Sequence, residues 1–355
     1  MRSSSATGTT GIADPPPSPP VAGEVALSSP GVPGEVARSA GEGSYVGRFA
    51  PSPSGPLHFG SLVAAVGSFL DARAHGGRWL VRIEDIDPPR ERPGAADEIL
   101  RALEALGLHW DGPVLRQSTR KPAYAAALAR LGGRNLLNAC DCTRSELVAL
   151  AENREREPGA ADELFHPPRC PPHGSGASRA RGHAWRLRVP AGRTCFDDRS
   201  LGPQAIDVAA TVGNFVLRRR DGLFAYQLAV VVDDAWQGVT DVVRGCDLLA
   251  STARQVLLQQ ALGLDQPRYL HLPLAVDDRG RKLSKSGDAP AADRSTPALQ
   301  LLAVLGFLGQ SPPQALLGAA PREVLAWARP HWRVEGFAGR ATGTAPQGVG
   351  AGSSG

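Results

Sequence analysis

From Tyr45 onward, apolar positions fall into short continuous runs alternating with longer stretches at helical spacing, each pair separated by Gly/Pro-rich or polar turns. Tyr45 to Ala50 reads as a first strand, Ser61 to His75 as a helix, and Trp79 to Ile83 as a second strand apolar enough to be buried and parallel. Pro93 to Leu106 reads as an amphipathic helix that opens on proline and is closed by Gly107, and Ser118 to Leu131 as another. Thr143, with Glu146 three residues on, has the form of a capping box at the start of a further helix. Strands are expected at His183–Val189, Asn214–Arg220, Leu223–Val232 and Val239–Val243, and a helix over Leu248–Leu262. His271 to Val276 leads into a polar loop, and helices are expected over Pro297–Leu308 and Pro313–Ala328. Residues 1–43 and 336–355 are rich in Gly, Ser, Pro and Ala without either period, so both are expected to be disordered tails. The order β, α, β at the start of the ordered part predicts an α/β fold with a parallel sheet.

Composition narrows the class. The chain has 355 residues, 42% of them hydrophobic, enough for a sizeable core. No run approaches the ~20 apolar residues of a membrane span, and the amino terminus shows no apolar secretion signal, so a cytoplasmic protein without membrane contact is expected. The formal charge is +4. Residues 1–43 hold Arg2 and Arg38 against Asp14, Glu24, Glu35 and Glu42, so the excess over the remainder is +6, a balance compatible with a nucleic-acid partner and equally with a solvated surface.

Two stretches carry candidate chemistry. In SYVGRFAPSPSGPLHFG, residues 44–60, a strand passes through a Pro/Gly/Ser turn to His58 at the head of a helix. Unpaired first-turn amides and the helix dipole make such a place an anion site, with Gly55 and Gly60 permitting close backbone approach. Far downstream, RKLSKS at 281–286 sets three cations and two hydroxyls in a polar loop. Either stretch alone has an ordinary structural reading. A third feature is C-x-C at Cys140 and Cys142, with Cys170 as a further soft ligand and His166, four residues before it, as the fourth; His173 is the alternative. One structural Zn²⁺ is expected there. Cys195 and Cys246 stand apart and read as core residues.

HFGS at 58–61 and KLSKS at 282–286 together resemble the HIGH and KMSKS signatures of class I aminoacyl-tRNA synthetases. GRFAPSPSGPLHFGSL, WLVRIEDIDPPR, RRDGLFAYQLAVVVDD and GVTDVVRGCDLL are similar to the glutamate branch of that class, and the similarity runs from about Tyr45 to about Gly309. The departures are Phe59 and Ser61 for the usual Ile and second His, Leu283 for Met, and His166 where a tyrosine is often found. The chain ends about seventy residues after KLSKS, so an anticodon-binding domain is not expected, and the resemblance narrows to the short family that attaches glutamate to the queuosine of tRNA(Asp).

The resemblance implies a ligase with a Rossmann-like class I catalytic domain, a parallel sheet flanked by helices, interrupted by an acceptor-binding-type zinc subdomain and followed by a short helical part. The expected boundaries are 44–134 and 201–290 for the catalytic halves, 135–200 for the insertion and 291–335 for the helical part. It also implies ATP with Mg²⁺, L-glutamate and queuosine-containing tRNA(Asp) as ligands of a monomer that activates glutamate without tRNA. His58, Lys285 and Lys282 are the implied catalytic residues, joined at the nucleotide by Gly60, Ser61 and Ser284. Arg48 and Arg244 are implied to face the substrate carboxylates, Glu84 its ammonium, with Tyr226 and Ser52 lining the pocket. A truncated glutamate–tRNA(Glu) ligase, a non-catalytic tRNA-binding paralogue and another adenylyltransferase of the same fold are the competing readings.

Overall fold

The computed structural model describes residues 44–152, 164–170, 182–283 and 296–346. The long polar excursion before and after His166, the amino-terminal stretch, His173, Ser284 and Lys285 lie outside the described residues. In chain order the elements are β1 (Val46–Phe49), α1 (Phe59–Ala74), β2 (Arg78–Ile83), α2 (Ala95–Ala105), β3 (Leu115–Arg116), α3 (Lys121–Gly133), β4 (Leu137–Cys140), α4 (Arg144–Glu152), β5 (Ala184–Leu187), β6 (Thr194–Asp198) and β7 (Gly202–Ile206). There follow α5 (Val208–Thr211), β8 (Val216–Arg218), α6 (Tyr226–Trp236), β9 (Asp241–Gly245), α7 (Leu249–Leu262), β10 (Arg268–Leu272), β11 (Leu274–Val276), α8 (Pro297–Phe307), α9 (Pro321–His331) and β12 (Thr342–Thr344).

Two parallel segments make the central layer. β1, β2 and β3 pair in that order, and β9, β10 and β6 pair in parallel, with β7 closing the edge as an antiparallel hairpin partner of β6. The segments abut where the Thr240 amide donates to the Val46 carbonyl at 2.9 Å and the Thr240 hydroxyl accepts from the Val46 amide at 2.9 Å. Strand order therefore reverses between β1 and β9, and doubly wound sheets bind ligands at the carboxyl ends of the strands flanking that reversal. Strand β1 ends at Phe49 and β9 at Gly245, which puts Arg48 and Arg244 at the crevice.

Helix α1 is buried almost all round, with Leu62, Val63, Ala65, Val66, Phe69, Leu70 and Ala72 inside, because it packs on the sheet with one side and under α8 and α9 with the other. Each such Leu, Val or Phe contributes roughly 1.5–3 kcal/mol. A polar hub ties these layers. Buried Asp71 accepts from Tyr45 Oη at 2.5 Å, from both terminal nitrogens of Arg199 at 2.5 and 3.0 Å, and from Trp332 Nε1 at 3.0 Å.

Several expectations are corrected. Leu223–Val232 is no strand: its residues from Tyr226 on form α6, since an apolar run broken only by Gln227 lacks the alternation that separates strand from buried helix. The hairpin β6–β7 went unforeseen, and its alternation leaves Cys195 on the exposed face rather than in a core, while Cys246 is half-buried. Helix α9 begins only at Pro321, after a turn in which Gly318 has φ +85°. Residues 336–346 are part of the fold: Phe337 is fully buried and β12 pairs in parallel with β11. Sheet membership also crosses residue 200 in both directions, because β6 joins the central sheet while β8 completes a separate antiparallel sheet with β4 and β5. Such pairing is non-local, and neither period nor turn residues specify it.

Candidate active site

Strand β1 delivers Arg48 into a buried ionic group. Arg48 Nε donates to Asp234 Oδ1 at 3.2 Å, and Arg82 Nη1 donates to the same oxygen at 2.6 Å. Arg82 Nη2 reaches Glu84 Oε1 at 3.2 Å. Glu84 is held by the preceding loop, since its amide donates to the Pro51 carbonyl at 2.9 Å. Burial raises the Glu84 carboxyl above the usual range, with the arginines opposing that rise. Burial acts on Asp234 likewise, but there Arg48 and Arg82 outweigh it and hold the carboxyl low. Tyr226, the first residue of α6, lies in the field of Arg244, Glu84 and Arg48, and burial drives its phenol upward. Arg244 Nη1 approaches the Tyr226 hydroxyl at 3.4 Å. The four residues expected to surround glutamate thus converge, and Ser52 sits exposed on the neighbouring loop.

His58 caps α1. Its Nδ1 accepts from the Ser61 amide at 3.3 Å and its Nε2 lies 3.0 Å from Ser61 Oγ. Accepting at Nδ1 leaves the proton on Nε2, which donates to the hydroxyl. One first-turn amide expected to be free for an anion is therefore already occupied by the histidine. A Cβ at Gly60 would lie 3.2 Å from His58 Cε1, so a side chain there would press on the ring. Burial, then the charge of Lys282, depress the His58 pKa, which places the first lysine of the downstream motif beside it. Lys282 Nζ is paired with Asp247 Oδ2 at 2.5 Å, two residues past the end of β9. Leu283 packs against the main core, an apolar anchor not expected in that loop. His58, Lys282 and Asp247 thus join the two signature stretches.

Sequence reasoning missed Arg82, Asp234, Asp247 and His271. The available signal was charge inside apolar runs: WLVRI and VVVDD each carry a buried ion that needs a partner.

In the β4–β5–β8 region, Cys140, Cys142, Cys170 and His166 converge, their ligand atoms all within 4.8 Å of one another. His166 Nε2 is 3.2 Å from Cys140 Sγ and 3.6 Å from Cys142 Sγ and Cys170 Sγ. Gly213 makes this possible. At φ +68° its place for a Cβ lies 1.8 Å from the His166 carbonyl oxygen, and on either side the His166 amide donates to the Val212 carbonyl at 2.9 Å while the Asn214 amide donates to the His166 carbonyl at 3.0 Å. Burial would raise the Cys140 thiol, but His166 and Arg186 outweigh it and bring it down to about 6. Cys142 is raised by burial and by the charge of Cys140. A dication would reverse that mutual discouragement. Three thiols and an imidazole at this spacing fit a tetrahedral soft-metal site.

A parallel sheet reversing between β1 and β9, with a helix-capping histidine and Lys282 at its carboxyl edge, defines a class I synthetase catalytic domain. Residues 45–311 match the family model described as tRNA synthetases class I (E and Q), catalytic domain. The chain is 56% identical over 288 residues to a glutamyl-Q tRNA(Asp) synthetase of Dechloromonas aromatica, covering 81% of this chain and 94% of the relative. It is 54% identical over 304 residues to that of Pseudomonas putida strain F1, covering 85% and 95%. It also superimposes on a glutamate–tRNA synthetase of Elizabethkingia anophelis with a TM-score of 0.67 at 25% identity, over 86% of this chain and 68% of the other. The chain belongs to the glutamyl-Q tRNA(Asp) synthetase family. Among the described residues no helix is long and apolar enough to cross a membrane.

Proposed function

We propose that this chain activates L-glutamate with ATP, without needing tRNA for that step, and transfers the glutamyl group to the queuosine of tRNA(Asp). The observation that carries the reading is the convergence of Arg48, Glu84, Tyr226 and Arg244 at the reversal of strand order, with His58 and Lys282 alongside. Glutamate brings two carboxylates and an ammonium. Arg244 offers fork-shaped donors, and its 3.4 Å contacts to Tyr226 and to the Leu248 carbonyl are the weak ones a carboxylate would replace. Glu84 receives the ammonium, Arg48 faces the other carboxylate, and Ser52 lines the entrance. A substrate carboxylate oxygen attacks the α-phosphorus, the bond to pyrophosphate breaks, and a mixed anhydride with AMP forms. His58, Gly60, Ser61, Lys282, Ser284 and Lys285 hold the triphosphate as charge develops on it, where fixed donors act most strongly. Mg²⁺ accompanies the nucleotide. The queuosine nucleophile then attacks the glutamyl carbonyl and AMP leaves.

Cys140, Cys142, His166 and Cys170 would hold one structural Zn²⁺, which would lock β4 to the loop around His166. The experiment is glutamate-dependent ATP–pyrophosphate exchange with and without tRNA, followed by charging of queuosine-containing tRNA(Asp) and of tRNA(Glu). Exchange without tRNA and charging of tRNA(Asp) alone is the expected result. Exchange that requires tRNA, or charging of tRNA(Glu), overturns the proposal.

A further inference from the structure

Arg244 is anchored in an unusual way for a buried cation. Its Nη1 donates to Gln255 Oε1 at 2.8 Å, its Nη2 to Thr252 Oγ1 at 2.7 Å, and its Nε to His271 Nε2 at 3.2 Å. All of these acceptors are neutral, and among the described residues no carboxylate is ion-paired to it. Arg48 differs, being tied directly to Asp234. A guanidinium in direct contact with an acid has part of its charge balanced within the protein, whereas one held by neutral acceptors keeps all of it for an incoming anion.

Behind His271 stands an acid. Asp198 Oδ2 accepts from His271 Nδ1 at 2.6 Å and from the His271 amide at 3.1 Å, while Oδ1 accepts from the Ser200 and Leu201 amides at 3.0 and 2.9 Å. Both side chains are fully buried. With the ring proton on Nδ1, the Nε2 lone pair faces Arg244; the other tautomer would set two N–H groups head to head. The carboxylate thus fixes the tautomer, and the imidazole turns the arginine, at one remove from the charge.

We propose that Asp198 and His271 are positioning residues that orient Arg244 for the substrate carboxylate and so set the affinity for glutamate. This rests on the reading above that Arg244 receives that carboxylate. The two sit on neighbouring strands, β6 and β10, so the register of the sheet aims the guanidinium.

The test compares His271→Leu, His271→Gln and Arg244→Lys in pyrophosphate exchange with varied glutamate and varied ATP. His271→Leu removes the acceptor, and the expected result is a glutamate KM raised about 10-fold or more, with the ATP KM within about 2-fold. His271→Gln carries an amide oxygen to the place of Nε2 and is expected to restore most of that loss. A glutamate KM unchanged in His271→Leu, an equal rise in both KM values, or no rescue by glutamine overturns the proposal. Arg244→Lys separates the layers: if it raises the glutamate KM while His271→Leu does not, only the positioning role falls, and if it too has no effect, the substrate reading falls as well. Should His271→Leu not fold, ¹⁵N-histidine spectra of the wild-type protein decide. A neutral ring protonated at Nδ1, whose Nε2 signal moves on adding glutamate, supports the proposal, and a ring protonated at Nε2 overturns it.

Discussion

Asp234→Asn removes one charge from the four-ion group without removing its shape. Asp234 Oδ1 accepts from Arg48 at 3.2 Å and from Arg82 at 2.6 Å, and the three side chains are 4%, 0% and 8% exposed for Arg48, Arg82 and Asp234. With Asp234 ionised, two arginines face two carboxylates. With asparagine, Glu84 alone faces both cations. Breaking a buried pair costs about 3–5 kcal/mol, because a charge is left uncompensated where water cannot reach it. The amide oxygen still accepts a hydrogen bond, worth about 1 kcal/mol, so a net loss of about 2–4 kcal/mol is expected. Against a total of about 5–15 kcal/mol the variant remains folded but visibly weakened. Urea unfolding should show a lower midpoint with an unchanged slope. The glutamate KM should rise as well, because Arg48 loses its anchor. A midpoint shift worth under about 1 kcal/mol, the size typical of an exposed pair, together with an unaltered KM, would refute the account of this cluster.

Further outcomes follow from other parts of the molecule. Lys285→Ala should slow pyrophosphate exchange by about 10²- to 10³-fold, as loss of one donor to developing charge does elsewhere, and an unimpaired variant removes that lysine from the reaction. Dialysed protein should retain one zinc per chain by elemental analysis, and Gly213→Ala should abolish it, since no methyl fits 1.8 Å from the His166 carbonyl; zinc retained at full stoichiometry in that variant contradicts the proposed centre. Stability should fall in two stages on acidification. His58 and His271 have pKa values lowered chiefly by burial, so below about 6.5 the unfolded chain takes up protons first and stability declines. Asp71, Asp198 and Asp234 are lowered in spite of burial, by Arg199, His271 and the Arg48–Arg82 pair respectively, so their contribution is complete above about 3.9 and is lost as the pH falls through their depressed values. A pH series of urea midpoints measures both stages, and a flat profile between about 7 and 5 would count against the first.

Much of the site was legible in the chain because its chemistry is local. A strand, a proline-stiffened turn and a histidine at a helix start can be read from seventeen consecutive residues, 44–60, and the C-x-C pair with His166 and Cys170 from ligand spacing. Helix against strand could not be read in Leu223–Val232, where an apolar run broken only by Gln227 has no period to report. Nor could the pairings that depend on sheet order be foreseen. Asp234 joins Arg48 across 186 positions, Asp198 meets His271 across 73, and residue 342 pairs with residue 274. Residue type and spacing determined which groups could do chemistry; closure of the chain decided which buried charge faces which, because a partner's identity in a low-dielectric interior depends on distance through space and is not written in separation along the chain.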